Sequence, residues 1–408
     1  MIEWVEKKLN DVCEIGRGSS PRPIADQRYF INGEIPWIKI ADATKSNKYI
    51  YETKEHVNEY GASFSRMLQP GALIIAASGT LGFPMFLGVE GCIHDGWLYF
   101  NNYKGISPDY LYYRLITLRN YFNALSYGAA IQNINTEIVR NTQVSIPPLA
   151  TQARIAEILS AYDDAIENNR RRIALLEKVA RELYHEWFVR MRFPGHESAK
   201  FVGGLPDGWD VVPFGTLVEI IDGDRGTNYP KQGEFSSEGY CLFLNAGNVT
   251  KNGFNFANST FVTEEKDKIL RKGRLERNDI VLTTRGTVGN VAFYSSYIPY
   301  NVLRINSGMV ILRDSGCVSP EFLYMTLRNE SVQKMIALFS SGSAQPQLPI
   351  KDMRKMKILK PTNNLVQQFA AIIKAKLNKS ALLQTQSQNL ARQRDLLLPR
   401  LMSGKLEV

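Results

Sequence analysis

The sequence is poor in the residues that build disulfide frameworks and metal sites. It has four cysteines and four histidines among 408 residues. No two cysteines stand in a C-x-x-C arrangement, which argues against a disulfide-stapled fold and against a zinc ribbon. The opening segment MIEWVEKKLN lacks the apolar stretch of a signal peptide. These features predict a cytoplasmic protein without a bound metal.

Catalytic and cofactor motifs are also missing. The sequence contains no G-x-x-x-x-G-K-[ST], no G-x-G-x-x-G and no G-x-S-x-G. His185-Glu186 is not followed by a second histidine at helical spacing, which excludes a zincin site. His94-Asp95 has the makings of a base and its orienting acid, but the second half of the chain has no matching pair. We therefore expect no catalytic residue and no cofactor, as in a binding protein.

The longest uncharged stretch does not have the composition of a membrane helix. Residues 67–89 carry no charge, but they include Pro70 and Pro84 and four glycines. The chain as a whole has 49 Lys and Arg against 40 Asp and Glu, a net charge of +9. A basic surplus favours a polyanionic partner such as nucleic acid.

What the sequence does have is an internal repeat that spans half its length. The period is too long for a solenoid and indicates a duplicated pair of domains. The matching segments are Trp4–Gly18 with Trp209–Gly223, Ala72–Gly82 with Asp279–Gly289, and Ser107–Tyr112 with Ser319–Tyr324.

Each half contains short strand-like runs between turns, followed by a helix. Examples of such runs are Leu73–Ala77 and Ile280–Thr284. Ser107 and Pro108 predict the start of a helix over about 108–124, and Ser319 predicts the start of its counterpart. Pro147-Pro148 ends the first α/β region, and a long helical pattern follows.

That long pattern is a coiled-coil seam with a single polar member, Asn169. Its apolar residues alternate at spacings of four and three: Ile155, Leu159, Tyr162, Ile166, Ile173, Leu176, Ala180, Leu183 and Trp187. The second half repeats the pattern with Phe369, Ile373, Leu383, Leu390, Leu397 and Leu401. The weaker second seam needs a partner, and the first helix packed antiparallel is the obvious one.

The predicted fold class is therefore α/β (α+β), with two tandem-repeated α/β domains separated by two long antiparallel coiled-coil helices. Two similar units joined in this way should be related by a pseudo-two-fold axis. The predicted boundaries are 1–148 and 201–362 for the α/β domains, and 149–200 and 363–408 for the helical spacers.

Two similar basic domains on a rigid spacer suit two half-sites on DNA. Arginine reads guanine and Asn or Gln reads adenine in the major groove, while glycine-rich loops approach phosphates. The candidate contacts in the first half are Arg17, Ser19, Ser20, Arg22, Lys39, Thr44, Lys45, Ser78, Thr80, Gln132 and Asn133. Those in the second half are Arg225, Thr227, Asn228, Asn245, Asn248, Lys251, Arg285, Thr287, Gln345 and Gln347.

These loops have simpler explanations as well. Gly79-Thr80 is compatible with a plain hairpin turn, and Arg285 with a surface salt bridge. The two halves differ most at these loops and agree in the scaffold around them. Such divergence on a common frame is expected when each copy reads a different sequence.

Several longer motifs resemble a known family. The segment 147–159 with Asp163-Asp164, the segment 182–188, the opening of the second half at 205–209 and the closing segment 396–406 resemble specificity subunits of Type I restriction–modification systems. The resemblance spans the whole chain. It implies two target-recognition domains that read a bipartite double-stranded DNA site. It also implies helices that set the spacing and dock methyltransferase subunits, two of them in the simplest arrangement, with restriction/translocase subunits joining through the complex.

The aromatics at the end of the first helix are the candidate docking surface. Tyr184, Trp187 and Phe188 are of the type enriched at interface cores, and Tyr184 and Phe188 flank the predicted seam. The alternative for Trp187 is core packing, since it lies on the seam. Two other functions stay open at this point: a catalytic methyltransferase or bifunctional enzyme, and an assembly scaffold that does not touch DNA.

Overall fold

Each of the two long helices belongs in part to each of two compact units. In each unit, seam residues of the helices pack into the core of the α/β region. The computed structural model describes residues 4–43, 47–125, 133–342 and 346–408. One unit comprises residues 1–168 and 387–408, and the other comprises residues 169–386. The segments predicted as separate spacers, 149–200 and 363–408, thus belong in part to each unit. Ile155 and Leu159 are buried in the core of the first unit, and Ala180 in that of the second.

Unit 1 contains two small sheets and a two-stranded ribbon. The strands are β1 (Val5–Lys8), β2 (Glu14–Arg17), β3 (Ile35–Ile38), β4 (Tyr49–Ile50), β5 (Glu55–Val57), β6 (Arg66–Leu68), β7 (Leu73–Ala76), β8 (Pro84–Leu87), β9 (Gly91–Ile93), β10 (Trp97–Asn101) and β11 (Gln143–Ile146). The helices are α1 (Leu9–Val12), α2 (Ile40–Ala43), α3 (Glu59–Ala62), α4 (Pro108–Leu125), α5 (Thr136–Asn141) and the first part of α6 (Leu149–Tyr184).

The order of strands in the larger sheet of unit 1 is β2-β10-β7-β8-β4, and in the smaller sheet β5-β3-β9-β6. Within the smaller sheet β3 and β9 run parallel, and β1 pairs with β11 antiparallel. The uncharged stretch 67–89 supplies β7 and β8, whose residues are all buried. No helix in the described part of the chain is long and apolar enough to cross a membrane.

Unit 2 repeats this plan with a few additions. Its strands are β12 (Phe201–Val202), β13 (Leu205–Pro206), β14 (Asp210–Pro213), β15 (Val218–Asp222), β16 (Cys241–Leu244), β17 (Val249–Thr250), β18 (Gly253–Phe254), β19 (Phe261–Val262), β20 (Ile280–Thr283), β21 (Val291–Phe293), β22 (Leu303–Ile305), β23 (Met309–Asp314) and β24 (Lys357–Lys360). Its helices are α7 (Glu264–Ile269), α8 (Pro320–Arg328), α9 (Glu330–Phe339), α10 (Ile350–Met353) and most of α11 (Asn363–Met402).

The strand orders confirm the duplication. The four-stranded sheet β15-β23-β20-β21 matches β2-β10-β7-β8, and the three-stranded sheet β19-β16-β22 matches β5-β3-β9. The pair β16 and β22 is parallel, as β3 and β9 are. The ribbon β14–β24 corresponds to β1–β11. The second copy of α4 is broken at Asn329, which ends α8 and caps α9.

Both predicted helix starts are capped as expected. The Ser107 hydroxyl accepts the Tyr110 N–H at 3.1 Å, and the Ser319 hydroxyl accepts the Phe322 N–H at 3.1 Å. A side-chain oxygen at this position satisfies one of the free N–H groups of the first turn.

Within unit 2 the long helices pair antiparallel. The Asn169 amide donates to Gln386 Oε1 at 3.4 Å, and the Tyr184 and Phe369 ring centroids lie 6.0 Å apart. Residue numbers therefore rise along α6 while they fall along α11. Asn169 is 5% exposed and lies on the seam, as its place in the pattern predicts.

A buried ion pair joins the two helices in unit 1. Arg394 of α11 donates to one oxygen of the Asp163 carboxylate, and the Tyr113 hydroxyl donates to the other at 2.5 Å. Asp163 is 8% exposed at its side chain and Arg394 26%. Burial, and then the Asp163 charge, raise the pKa of Tyr113, which keeps its hydroxyl protonated as a donor. Arg394 stands between Leu390 and Leu397 of the second seam, and Asp163 of the first helix provides the matching acid.

We expect Asp163→Asn to lower the free energy of unfolding by about 3 kcal/mol, because it leaves a largely buried guanidinium without its counter-charge. The control is Asp164→Asn at the exposed neighbouring position, which should change stability by less than about 0.5 kcal/mol. Chemical denaturation of the full chain measures both variants. Equal losses for the two would show that Asp163 does not hold this helix pair.

Candidate nucleic-acid interface

In unit 1, several loops meet at one end of the larger sheet. Three of these loops follow β2, β3 and β7, a fourth precedes β10, and residue 133 joins them. We call this set the first loop cluster; it comprises residues 17–22, 38–39, 77–80, 94–96 and 133. The joining backbone bonds are Gly18 N–H to Trp97 O (2.9 Å), His94 N–H to Ile38 O (3.1 Å), Ala77 N–H to Gly96 O (2.8 Å) and Ile134 N–H to Ala77 O (2.7 Å). The backbone of the cluster is therefore fixed independently of its side chains.

Three of the predicted contacts converge on Asp95 in this cluster, and a fourth, Asn133, joins them through Arg17. Arg17 donates through Nε to the Asp95 carbonyl at 2.8 Å and through Nη2 to Asn133 Oδ1 at 3.2 Å. Arg22 forms an ion pair with the Asp95 carboxylate while its side chain is 66% exposed. The Ser20 hydroxyl accepts the Asp95 N–H at 3.2 Å. The arrangement orders two exposed guanidinium groups beside an amide.

The remaining first-half candidates surround this centre. Ser78 forms an isolated β-bridge with Asn133, and Gly79 has a φ of 68°, which makes 78–80 a turn between β7 and β8. Thr80 is half-buried in that turn and Ser19 is exposed. Lys39 lies 4.6 Å from the Trp37 ring centroid and pairs with Glu55 at 2.7 Å, so its charge is already partly neutralised.

Unit 2 repeats three of these four backbone bonds; we call residues 222–228, 244–245, 284–287, 306–308 and 347 the second loop cluster. The matching backbone bonds are Asn306 N–H to Leu244 O (3.1 Å), Thr284 N–H to Gly308 O (2.8 Å) and Leu348 N–H to Thr284 O (2.9 Å). Arg285 forms a β-bridge with Gln347 where Ser78 bridges Asn133, and Gly286 has a φ of 71° where Gly79 has 68°.

Arg285 lies at the centre of the second loop cluster. Its N–H donates to the Gly308 carbonyl at 3.1 Å, which fixes its backbone. Within the described part of the chain, its buried Nε has no hydrogen-bond partner, and the guanidinium forms no ion pair. The salt-bridge alternative for Arg285 is therefore not what the structure shows. Thr287 is exposed next to it.

Arg225 approaches the same cluster from the loop after β15. It pairs with Asp222 at 3.0 Å and donates to the Ser307 carbonyl at 3.4 Å, the position equivalent to the Asp95 carbonyl. Asp224 accepts the N–H groups of Gly226 and Arg271 at 2.8 Å each. These two bonds hold the pKa of the Asp224 carboxyl below its usual range, so the acid serves to fold the loop. Thr227 is exposed and Asn228 half-buried beside it.

Two second-half candidates, Asn248 and Asn245, make side-chain hydrogen bonds within their own loop, whereas the side chain of Lys251 is exposed. Asn248 is 2% exposed, and its amide donates to the Asn255 carbonyl at 2.9 Å. The side-chain oxygen of Asn245 accepts the Gly247 N–H at 2.8 Å. The expectation that Asn248 contacts DNA is wrong, because the loop folds around its amide. Lys251 is exposed on the β17–β18 turn, and its carbonyl accepts from Arg328 at 3.3 Å.

The expected docking surface at Tyr184, Trp187 and Phe188 is wrong. The three side chains are 5%, 7% and 3% exposed and belong to the core of unit 2. Helical spacing of 3.6 residues per turn places Tyr184 and Phe188 beside the seam. A π-helical turn over His185–Val189, closed by the Arg190 N–H on the His185 carbonyl at 2.8 Å, winds the chain more widely there. The flank is then covered by Phe322 and Trp209.

The two clusters also contain residues that sequence reasoning missed. His94-Asp95-Gly96 and Asn306-Ser307-Gly308 occupy equivalent places before β10 and β23. The signal was present: both triplets end in glycine, and both stand thirteen positions before the matched serines at 107 and 319. As a His-Asp pair, residues 94 and 95 suggest a catalytic base instead, which obscures this equivalence.

Some candidates cannot be placed. Thr44, Lys45, Gln132 and Gln345 lie outside the described residues. Across the ranges that are described, no group of three or more His, Cys, Asp or Glu side chains could hold a metal ion.

Comparisons with known proteins agree on one family. The model of the Type I restriction modification DNA specificity domain matches twice, over residues 1–178 and 206–392. The specificity subunit of the type I restriction enzyme MjaIX of Methanocaldococcus jannaschii is 25% identical, with 100% of this chain and 94% of the relative covered. The HindI specificity subunit of Haemophilus influenzae is 24% identical, with both chains covered fully.

A solved structure shares the fold. The crystal structure of the type I restriction–modification S subunit from M. genitalium superimposes with a TM-score of 0.63 at 17% identity. It covers 98% of this chain and 96% of the other. At this identity the likeness concerns the fold alone.

The corrected position of Phe188 makes a stability prediction. Phe188→Ala should destabilise unit 2 by about 3–5 kcal/mol, the cost of deleting a fully packed phenylalanine. Its ring lies 4.9 Å from both the Phe322 and Phe369 rings, between centroids. The control is Val189→Ala, since Val189 is 45% exposed on the next position. Chemical denaturation distinguishes them, and a Phe188→Ala chain of wild-type stability would contradict the core assignment.

Proposed function

Because the chain belongs to the family of Type I restriction-modification DNA specificity proteins, we propose that each of its two units reads one half of a bipartite DNA site. The observation that carries the proposal is the repeated loop cluster. Three of the four backbone bonds that join the first cluster recur in the second, while the side chains that they present differ. A constant frame with variable hydrogen-bonding groups suits the recognition of two different half-sites.

The chemistry of the presented groups fits a duplex. Arg17 and Arg22 in the first cluster and Arg225 and Arg285 in the second are suited to guanine or phosphate. Asn133 and Gln347 stand at equivalent bridge positions beside them, and amide side chains pair with adenine. The net charge of +9 adds sequence-independent attraction to the phosphate backbone.

We propose a non-catalytic role within a larger complex. Relatives of the chain are named specificity subunits of type I restriction enzymes. The chain would bring methyltransferase subunits, two in our proposal, to its DNA site, and restriction/translocase subunits would join through them, in the cytoplasm where the chromosome is. The helices α6 and α11 would set the distance between the half-sites. The docking surface lies elsewhere than at Tyr184, Trp187 and Phe188.

The proposal is tested by selecting a randomised duplex library with the full chain bound to its methyltransferase subunits. We expect a motif of two conserved blocks separated by a fixed number of unspecified base pairs. Affinity for the selected duplex should fall steeply with added salt. In a plot of the logarithm of the binding constant against the logarithm of the salt concentration, each phosphate contact should contribute a slope of about −0.9. A complex that selects no sequence would refute DNA reading, and one that does not bind DNA would leave an assembly scaffold.

Arg285→Ala should weaken binding through the second half-site only. If the guanidinium reads guanine, the loss should be about 1–3 kcal/mol and confined to one base pair. If it meets phosphate, all duplexes should bind more weakly, with a smaller salt slope. The control is Lys355→Ala, since Lys355 is 60% exposed. Its neighbour Arg354 lies against Gly215, which precedes β15, whereas the second loop cluster follows the end of β15. Unchanged affinity for Arg285→Ala would remove this loop from the site.

The spacer prediction concerns length. Inserting seven residues in both helices, near Asn169 and Leu383, keeps the seam in phase and lengthens each by roughly 10 Å at about 1.5 Å per residue. At ~3.4 Å per base pair, the preferred gap should grow by about three base pairs. That growth also turns the far half-site by nearly a third of a turn, so affinity for the new optimum should fall. Binding to duplexes of different gap length measures this, and an unchanged optimum would show that the helices are not the ruler.

A further inference from the structure

One residue at the centre of each loop cluster is placed by the fold in the same way, although its type differs. His94 follows β9 and Asn306 follows β22. Each donates its backbone N–H to the strand that runs parallel to its own, to Ile38 O and Leu244 O respectively, at 3.1 Å in both cases. Each also stands three positions before the next strand of the larger sheet, β10 or β23. The two residues therefore share one site on the repeated frame.

Their side chains make the same internal hydrogen bond. The Gly96 N–H donates to His94 Nδ1 at 2.9 Å, and the Gly308 N–H donates to Asn306 Oδ1 at 2.9 Å. An amide N–H always carries its hydrogen, so the atom facing it is an acceptor. With Nδ1 accepting from Gly96, the neutral His94 ring carries its hydrogen on Nε2, and the Asp95 carboxylate 3.0 Å from Nδ1 receives no hydrogen bond from it. The corresponding bond orients the asparagine amide.

The opposite end of each side chain is a hydrogen-bond donor. Nε2 of His94 carries a hydrogen in the neutral tautomer that accepts from Gly96, and it does so in the imidazolium as well. The Asn306 amide, with its oxygen engaged, leaves its NH₂ group for an outward contact. The His94 side chain is 25% exposed and Asn306 is half-buried. In the described part of the chain neither outward nitrogen has a hydrogen-bond partner.

Both donors stand next to the arginines of their cluster. The carbonyl of Asp95, the residue after His94, accepts from Arg17 at 2.8 Å. The carbonyl of Ser307, the residue after Asn306, accepts from Arg225 at 3.4 Å. His94 is further supported by the Trp37 ring, whose centroid is 5.5 Å from its own. A Cβ on Gly96 would meet the Ser78 hydroxyl at 2.5 Å, so the turn packs tightly on the 78–80 loop.

The charge state of His94 is set by its neighbours. Burial lowers its pKa most, the Asp95 carboxylate at 3.0 Å from Nδ1 opposes this, and Lys39 and Arg22 lower it further while Glu55 raises it. The net direction is down from its ordinary value, so the ring is neutral at pH 7. Like Asn306, it presents a neutral donor.

We propose that His94 and Asn306 are specificity-determining residues, each donating a hydrogen bond to an acceptor atom on a base edge of its own half-site. The inference rests on the proposed function and names the position through which each cluster reads. The acceptors available in the major groove are N7 and O6 of guanine, N7 of adenine and O4 of thymine. Because Gly308 occupies the Asn306 oxygen, we expect a base acceptor here rather than the two-bond pairing of Asn with adenine.

The competing explanation is that both residues only hold their turns. Asn306→Asp separates the two roles, because it keeps the oxygen that accepts from Gly308 and converts the outward NH₂ into an acceptor. His94→Asn also keeps the internal bond, as Asn306 shows in the equivalent turn, but it replaces the imidazole by a shorter amide whose NH₂ does not extend as far as Nε2. Neither change removes the bond that folds the loop, so both chains should keep the wild-type melting temperature.

The experiment selects a randomised duplex library with the complex of the full chain and its methyltransferase subunits. We expect Asn306→Asp to reduce preference for the wild-type base at one position of half-site two by roughly 10- to 100-fold, with half-site one unchanged. His94→Asn should alter one position of half-site one and leave half-site two intact. A matched charge control is Asn364→Asp, at an exposed position on α11, which should leave the base preferences at every position as in wild type.

The outcomes are distinct. A change of base preference confined to the variant's own half-site supports the assignment. An unaltered motif overturns the assignment, whether affinity is retained or falls uniformly on all duplexes. A uniform loss of affinity indicates a change in attraction to the phosphates and not the loss of a contact to a base. A wild-type complex that selects no bipartite motif overturns the proposed function itself, and the inference with it.

Discussion

The pairing of backbone groups at the strand ends is the constraint on which the rest of the structure depends. The peptide groups of buried loops must be hydrogen-bonded, and here they bond to one another across the loops: Ala77 with Gly96 and Ile134, and Thr284 with Gly308 and Leu348. Because the frame satisfies itself in this way, the side chains are free to vary. The same bonds therefore survive in both copies although most of the groups that they present have diverged.

The helices depend on a second form of compensation. Arg394 is a charged member of the second seam, and the cost of burying it is offset by Asp163 of α6, which accepts from it. Tyr113 of α4 donates to the other oxygen of the Asp163 carboxylate. In unit 2 the helix pair contains an amide contact between Asn169 and Gln386. A charge-assisted pair in one unit and an amide pair in the other provide two different polar contacts along one helix pair. Polar residues in a seam oppose slippage, since a shifted register leaves them buried without partners.

Features with a local or periodic signal could be predicted from the sequence. The duplication, the buried face of α6, and the caps at Ser107 and Ser319 are all present in the structure. Features that depend on distant partners could not. Nothing near Arg394 in the chain indicates that Asp163 faces it. The burial of Tyr184 and Phe188 follows from aromatic rings of distant segments, Phe322, Phe369 and Trp209, that pack on them. Asn248 carries the amide group that pairs with adenine, but this amide hydrogen-bonds to the backbone of its own loop.

The two clusters also differ in where their arginines originate. In unit 1 they come from the end of β2 and the loop after it, as Arg17 and Arg22. In unit 2 one, Arg225, comes from the loop after β15 and the other, Arg285, from the turn after β20. Arg17 and Arg225 nevertheless donate to the same carbonyl position, at Asp95 and Ser307. Because β15 matches β2, the frame fixes both this acceptor and the strand end that supplies its arginine, whereas the second arginine changes element, from the loop after β2 to the turn after β20. A guanidinium can be moved between loops without rebuilding either sheet. A duplicated domain can thus change what it reads by substitutions that leave its core untouched.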